Sequence, residues 1–135
     1  MKNRSLTKDY VIRAGIRFAA LQVLFDKGGY ADVVREAQEI VELLSKALIR
    51  HLGAEPARVH DVSAQLRELS PRMGQELQQK LESLIEHSRE LRRDRELAFY
   101  GTEDLTPSEF YSKKDAERAF GYAQEALAFV EGVIG

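Results

Sequence analysis

Cysteine is missing from the chain, which removes disulfides, thiolate zinc sites and a cysteine nucleophile, and suits a reducing cytoplasm. Proline occurs only at Pro56, Pro71 and Pro107. Each falls in a break between periodic segments, as in a chain whose regular elements are helices. No apolar run is long enough to cross a bilayer, and Met1-Lys2-Asn3-Arg4 leads into mixed polar and apolar sequence rather than a signal-peptide core. The expectation is therefore a cytoplasmic protein with no membrane contact. Charge of one sign is also lacking: the net charge is −2 although 31% of residues are charged. Such a balance gives no general attraction to nucleic acid or to an anionic membrane, so binding of that kind must be local. The three histidines, His51, His60 and His87, are dispersed without ligand spacing, so neither a metal nor another cofactor is expected.

What remains is helical periodicity in a chain of 135 residues, a length that fits one domain, 1–135. From about Leu6 to Lys27, Tyr10, Ala14, Phe18, Leu21 and Phe25 share a face, and Gly28-Gly29 ends the segment. From about Tyr30 to Leu52 the stripe is Tyr30, Val34, Ala37, Val41, Leu44 and Leu48, with Gly53 as the stop. A loop from Ala54 to His60 precedes Asp61, the expected N-cap of a short helix bearing Val62, Leu66 and Leu69. Ser70-Pro71 is read as the start of a long helix reaching Tyr100-Gly101. Thr106-Pro107-Ser108-Glu109 and Ser112-Lys113-Lys114-Asp115 both read as capped helix starts. The final helix carries Ala116, Ala119 or Phe120, Ala123, Leu127, Val130 and Ile134. Its alanine-rich inner face permits close approach of a core neighbour or of a second subunit. Strand-like alternation is absent, and the predicted fold is all-α, an antiparallel up-and-down bundle of four to five helices.

The long helix holds an anomaly. Met73, Leu77, Leu81, Leu84, Ser88, Leu91, Arg95 and Ala98 step by threes and fours along one face, so Arg95 stands where a core leucine is called for. A guanidinium keeps its charge, and on a packing seam it needs an anion or an opening to water. Around it Arg89, Arg92 and Arg93 alternate with Glu86, Glu90, Asp94 and Glu96, the pattern of a solvated helix face with ion pairs at one-turn spacing.

One stretch carries a family resemblance. Gly28-Gly29-Tyr30 leads into a helix reading Ala37-Gln38, Glu42 and Lys46-Ala47-Leu48, followed by Gly53, Pro56 and His60-Asp61. This resembles the HEPN domain family, in which a Gly-Tyr-type turn precedes a helix of the form Ala-Gln-x-x-x-Glu-x-x-x-Lys-Ala-Leu and a loop ending in His-Asp. With the flanking helices the similarity covers most of the chain. It implies a homodimeric helical bundle, a nucleotide or RNA ligand, and often a minimal nucleotidyltransferase partner in a toxin-antitoxin-like pair. Many HEPN domains are metal-independent ribonucleases whose signature is an arginine, four to six residues, then a histidine. Arg95 occupies the signature position, but the residue five places on is Tyr100, and neither His51, His60 nor His87 has an arginine at the required distance before it.

Metal-free RNA cleavage needs a base for the 2′-hydroxyl proton, and a histidine of pKa about 6.5 serves where a tyrosine of about 10 does not. The expected role is therefore nucleotide or anion binding by Arg95, Glu96, Tyr100 and Arg92, with Tyr100 able to donate a hydrogen bond or stack on a base. The alternatives are a variant ribonuclease toxin using Arg95, Tyr100 and His87, and a non-catalytic scaffold in which Arg95 closes an internal salt bridge. Glu42 and Lys46 are expected to form a one-turn pair on an exposed face, and His60 to fix its loop by hydrogen bonding.

Overall fold

The computed structural model describes residues 2–100 and 106–135, with side chains described over 5–93 and 106–135. The elements are α1 (Lys2–Asp26), α2 (Tyr30–His51), α3 (Ser63–Leu69), a 3-10 turn (Ser70–Arg72), α4 (Gln75–Tyr100), α5 (Pro107–Phe110) and α6 (Lys113–Ile134). No strand occurs among the described residues, and the all-α expectation holds.

Local chemistry sets most of the boundaries. Gly28 and Gly53 adopt φ of +77° and +90°, a left-handed conformation that only glycine takes without penalty, and so they stop α1 and α2. Behind Gly28, the N–H of Gly29 closes back on the Leu24 carbonyl at 2.9 Å. The two predicted starts around Thr106 and Ser112 are complete capping boxes, reciprocated by Glu109 and Asp115.

Two boundaries differ from expectation. The N-cap position of α3 is Val62, yet Asp61 still does the capping, its Oδ1 accepting the Ser63 N–H at 3.0 Å. Ser70-Pro71 does not open the long helix: it forms the separate 3-10 turn, Met73 is extended, and α4 begins after Gly74, whose carbonyl accepts from Leu77 and Gln78. Proline fits the first turn of either helix type. The buried Met73 side chain is 6% exposed, and it anchors the chain in the extended conformation that interrupts the helix. The inward stripe of α4 then runs through Leu81, Leu84, Ser88 and Leu91, all buried.

Packing explains the order of the bundle. Contacts Arg17–Glu36 and Phe25–Tyr30 run antiparallel between α1 and α2, as do His87–Tyr122 and Arg118–Glu90 between α4 and α6. The four long helices thus alternate in direction. They do not form a square: α2 packs extensively on α1, α4 and α6, whereas α1 and α4 share no substantial contact. The α2–α6 diagonal is short because Ala116, Ala119, Ala123 and Ala126 of α6 are all buried and small, which allows close axis approach. The alanine face therefore serves a core neighbour. As the central helix, α2 is buried on several sides, with Val33, Ile40 and Ile49 as fully enclosed as the predicted Val41, Leu44 and Leu48.

Candidate functional site

The motif residues that are scattered along 23 positions of sequence, Gln38, Glu42, Lys46 and His60, converge on one carboxylate. Gln38, Glu42 and Lys46 recur every four residues along α2, so they line up on one side of that helix. Gln38 Nε2 donates to Glu42 Oε2 at 3.2 Å, and Lys46 Nζ lies 3.4 Å from Oε1. Across the α2–α3 connection, His60 Nδ1 reaches Oε1 at 3.0 Å and Oε2 at 3.3 Å. A carboxylate only accepts, so the proton of this bond belongs on Nδ1. The Glu42 side chain is 9% exposed, which corrects the expectation of an exposed one-turn pair: the carboxylate is buried and three donors converge on it, as burial of such a charge demands.

The same loop is tied down from α4. Arg92 donates from one guanidinium nitrogen to the His60 carbonyl at 2.6 Å, while its Nε is buried without a hydrogen-bond partner. The Asp61 carboxyl is held below the ordinary carboxylate range, chiefly by its side-chain and backbone hydrogen bonds with Ser63, then by the charges of Arg92 and Arg89, against an opposing effect of burial. A depressed folded-state pKa means that its contribution to stability is present above about pH 4 and is lost as pH falls through the lower, folded-state value. Asp61→Asn is accordingly expected to flatten the acid limb of the stability profile, measured by urea midpoints across pH 2–6; an unchanged acid limb would contradict the assignment. Further along the loop, Arg72 donates to the Leu52 carbonyl at 2.6 Å and Gln65 Nε2 to the Glu55 carbonyl at 2.7 Å. His60 thus fixes its loop, as expected.

Arg95, Glu96 and Tyr100 lie in the last turns of α4, where side chains fall outside the described residues. The helix backbone puts position 95 in register with Ser88 and Leu91, both buried, and one turn beyond Arg92. Of the predicted binding residues, the structure brings Arg92 against the His60-Asp61 loop.

His87 sits elsewhere. It stacks flat on Tyr122, with centroids 3.8 Å apart and planes 9° from parallel, and its Nδ1 is 3.5 Å from Glu125 Oε2. The Tyr122 hydroxyl donates to Glu90 at 2.7 Å; burial first, and then this bond to a carboxylate, push its pKa up. Beside the ring a cleft of about 310 Å³ opens between α4 and α6, lined by Lys80, Ser83, Leu84, His87, Glu125 and Phe129 among others. His87 precedes Arg95 by eight residues, which is about 12 Å along the helix axis and about 80° around it.

Sequence reasoning missed three features here. Glu42 is a buried hub, Glu125 stands beside His87, and Tyr122 covers the imidazole. Only the first left a sequence signal, the recurrence of Gln38, Glu42 and Lys46 every fourth residue along α2.

The four long helices form a bundle in which the second helix and the following loop meet in a Gln-Glu-Lys-His cluster. A family model for the HEPN domain matches residues 7–133, and the chain belongs to that family. No curated protein and no solved structure gave a significant match. No described helix is long and apolar enough to cross a membrane.

Proposed function

We propose that this chain is a non-catalytic HEPN module: a homodimer that binds a nucleotide or RNA phosphate through Arg95, Tyr100, Glu96 and Arg92, and that pairs with a minimal nucleotidyltransferase in a toxin-antitoxin-like arrangement. The observation that carries this reading is the placement of the histidines. No histidine follows an arginine at the ribonuclease spacing, His60 is bonded to Glu42, and His87 is stacked flat on Tyr122. Arginine without a nearby base binds a phosphate through its planar fork but has no group to take the 2′-hydroxyl proton. A variant ribonuclease is the second reading. It draws on the Glu125 carboxylate beside His87, the arrangement of a base with an orienting acid.

Labelled single-stranded RNA mixed with purified protein in EDTA separates the two. The expected result is saturable binding that weakens with salt, without cleavage, and a loss of affinity of about tenfold or more in Arg95→Ala, the usual scale for one charge-assisted contact. Cleavage that disappears in His87→Ala would overturn the binding reading in favour of the nuclease, and absence of both binding and cleavage would leave a scaffold.

A further inference from the structure

The cleft between α4 and α6 is a binding site of its own, built without Arg95. Its α4 wall consists of Lys80, Ser83, Leu84 and His87, positions i, i+3, i+4 and i+7, which share one side of a helix. Lys80 and His87 are therefore about 10 Å apart along the axis and within about 20° of the same direction around it. Opposite them, Glu125 and Phe129 stand one turn apart on α6, and the neighbouring Ala126 and Ala128 contribute only methyl groups, which leaves a space of about 310 Å³. That is the small end of the range for organic ligands. Leu84 and Ala126 are buried and Phe129 is half-buried, so the middle of the cleft is apolar.

The two ends are polar in different ways. Among the lining residues are one ammonium, one carboxylate and one imidazole. The ammonium, that of Lys80, is exposed and has no ion-pair partner among the described residues. At the other end the imidazole is held in place. One face of His87 stacks on Tyr122, which is itself bonded to Glu90, and Nδ1 faces Glu125 Oε2 at 3.5 Å. A carboxylate draws the proton to the nitrogen that faces it, which leaves Nε2 of the neutral ring as an acceptor.

We infer that this cleft binds a small aromatic monocarboxylic acid. Its carboxylate meets Lys80, its ring lies against Leu84 and Phe129, and a hydroxyl or N–H group at its far end donates to His87 Nε2. Ser83, one turn from Lys80, supplies a second donor for the carboxylate. A ring fills the apolar middle with few rotations to freeze and meets Phe129 edge-on or offset. The charge pattern selects a single anion at a single end: one ammonium offers too little to a polyphosphate, and Glu125 opposes a second negative charge beside His87. The ligand of this cleft is therefore chemically distinct from the nucleotide or RNA phosphate proposed for Arg95.

The test titrates the whole, isotope-labelled chain with 3-(4-hydroxyphenyl)propionate, followed by nuclear magnetic resonance. Saturable shifts are expected at Ser83, His87 and Phe129, with a dissociation constant of about 0.1–1 mM, the scale for a ligand of about a dozen heavy atoms. The methyl ester, which lacks the charge, should bind about fivefold more weakly, and 3-phenylpropionate, which lacks the hydroxyl, about threefold more weakly. Two variants assign the ends. In Lys80→Met, an exposed position, acid and ester should bind alike. In His87→Phe, which keeps a ring on Tyr122 but has no nitrogen, the hydroxylated and plain acids should bind alike. Equal binding of acid and ester to the unaltered chain overturns the Lys80 end, and equal binding of the two acids overturns the His87 end. Absence of saturable shifts at the cleft residues overturns the site, whatever the outcome of the RNA titration.

Discussion

Glu42→Ala is expected to lower the unfolding free energy by about 3 kcal/mol, read from urea denaturation. Removing one member of a buried ion pair typically costs about 3–5 kcal/mol. The lower end applies because Lys46 and His60, with side chains 27% and 67% exposed, can turn to water once the carboxylate is gone. Gln38 cannot: it is fully buried, and an orphaned amide there costs about 1–3 kcal/mol by itself. Glu42→Gln keeps the shape and an acceptor, so its effect should be about 1 kcal/mol. Hydrogen exchange offers a second readout, since the loop between α2 and α3 loses its His60 anchor and should exchange faster in Glu42→Ala while the α2 core does not. A loss below about 1 kcal/mol for Glu42→Ala would mean that the cluster is not a stabilising hub.

Ala123→Leu should be comparably severe, for a steric reason. Ala123 has no exposed surface and lies in the alanine row of α6, where α6 makes extensive contact with α2. Three added carbons have no void to enter, and overpacking of this kind costs about 1–3 kcal/mol and occasionally more. The upper end is expected here because relief requires the two central helices to separate along their whole contact. The same change at the exposed Ala128 should stay within about 0.5 kcal/mol. Near-equal melting of the two variants would contradict the close diagonal packing.

These two residues also mark how far the sequence could be read. Glu42 was visible as half of a one-turn pair with Lys46, and that pair exists. Its burial was not visible, because His60 arrives from eighteen residues away through a loop whose path depends on Arg92 and Arg72 gripping its carbonyls. Ala123 was legible as part of a small inner face, but whether a core helix or another subunit would use that face depended on the packing. His87 shows the same division. Its carboxylate neighbour Glu125 is 38 positions later, and no spacing rule links residues on two separate helices.

Family membership was readable from Gln38, Glu42, Lys46 and His60-Asp61, because those residues recur at fixed positions whatever their contacts. The Arg95 edge remains a reading of the sequence, because the side chains of Arg95, Glu96 and Tyr100 lie outside the described residues.

By itself, the sequence determined what depends on neighbours within about one helical turn: the positions of the helices, the capping boxes at Thr106 and Ser112, the glycine stops, and the inward stripes. Each of these rests on backbone conformation and on contacts three or four residues apart. Only the tertiary structure decided that α2 and α6 form the short diagonal, that Glu42 is a buried hub, that His87 meets Tyr122 and Glu125 of α6, and that α1 leaves Ile12, Ile16 and Val23 exposed. Those features depend on which helix lies against which, and that is settled by the fit of whole side-chain surfaces rather than by any local spacing.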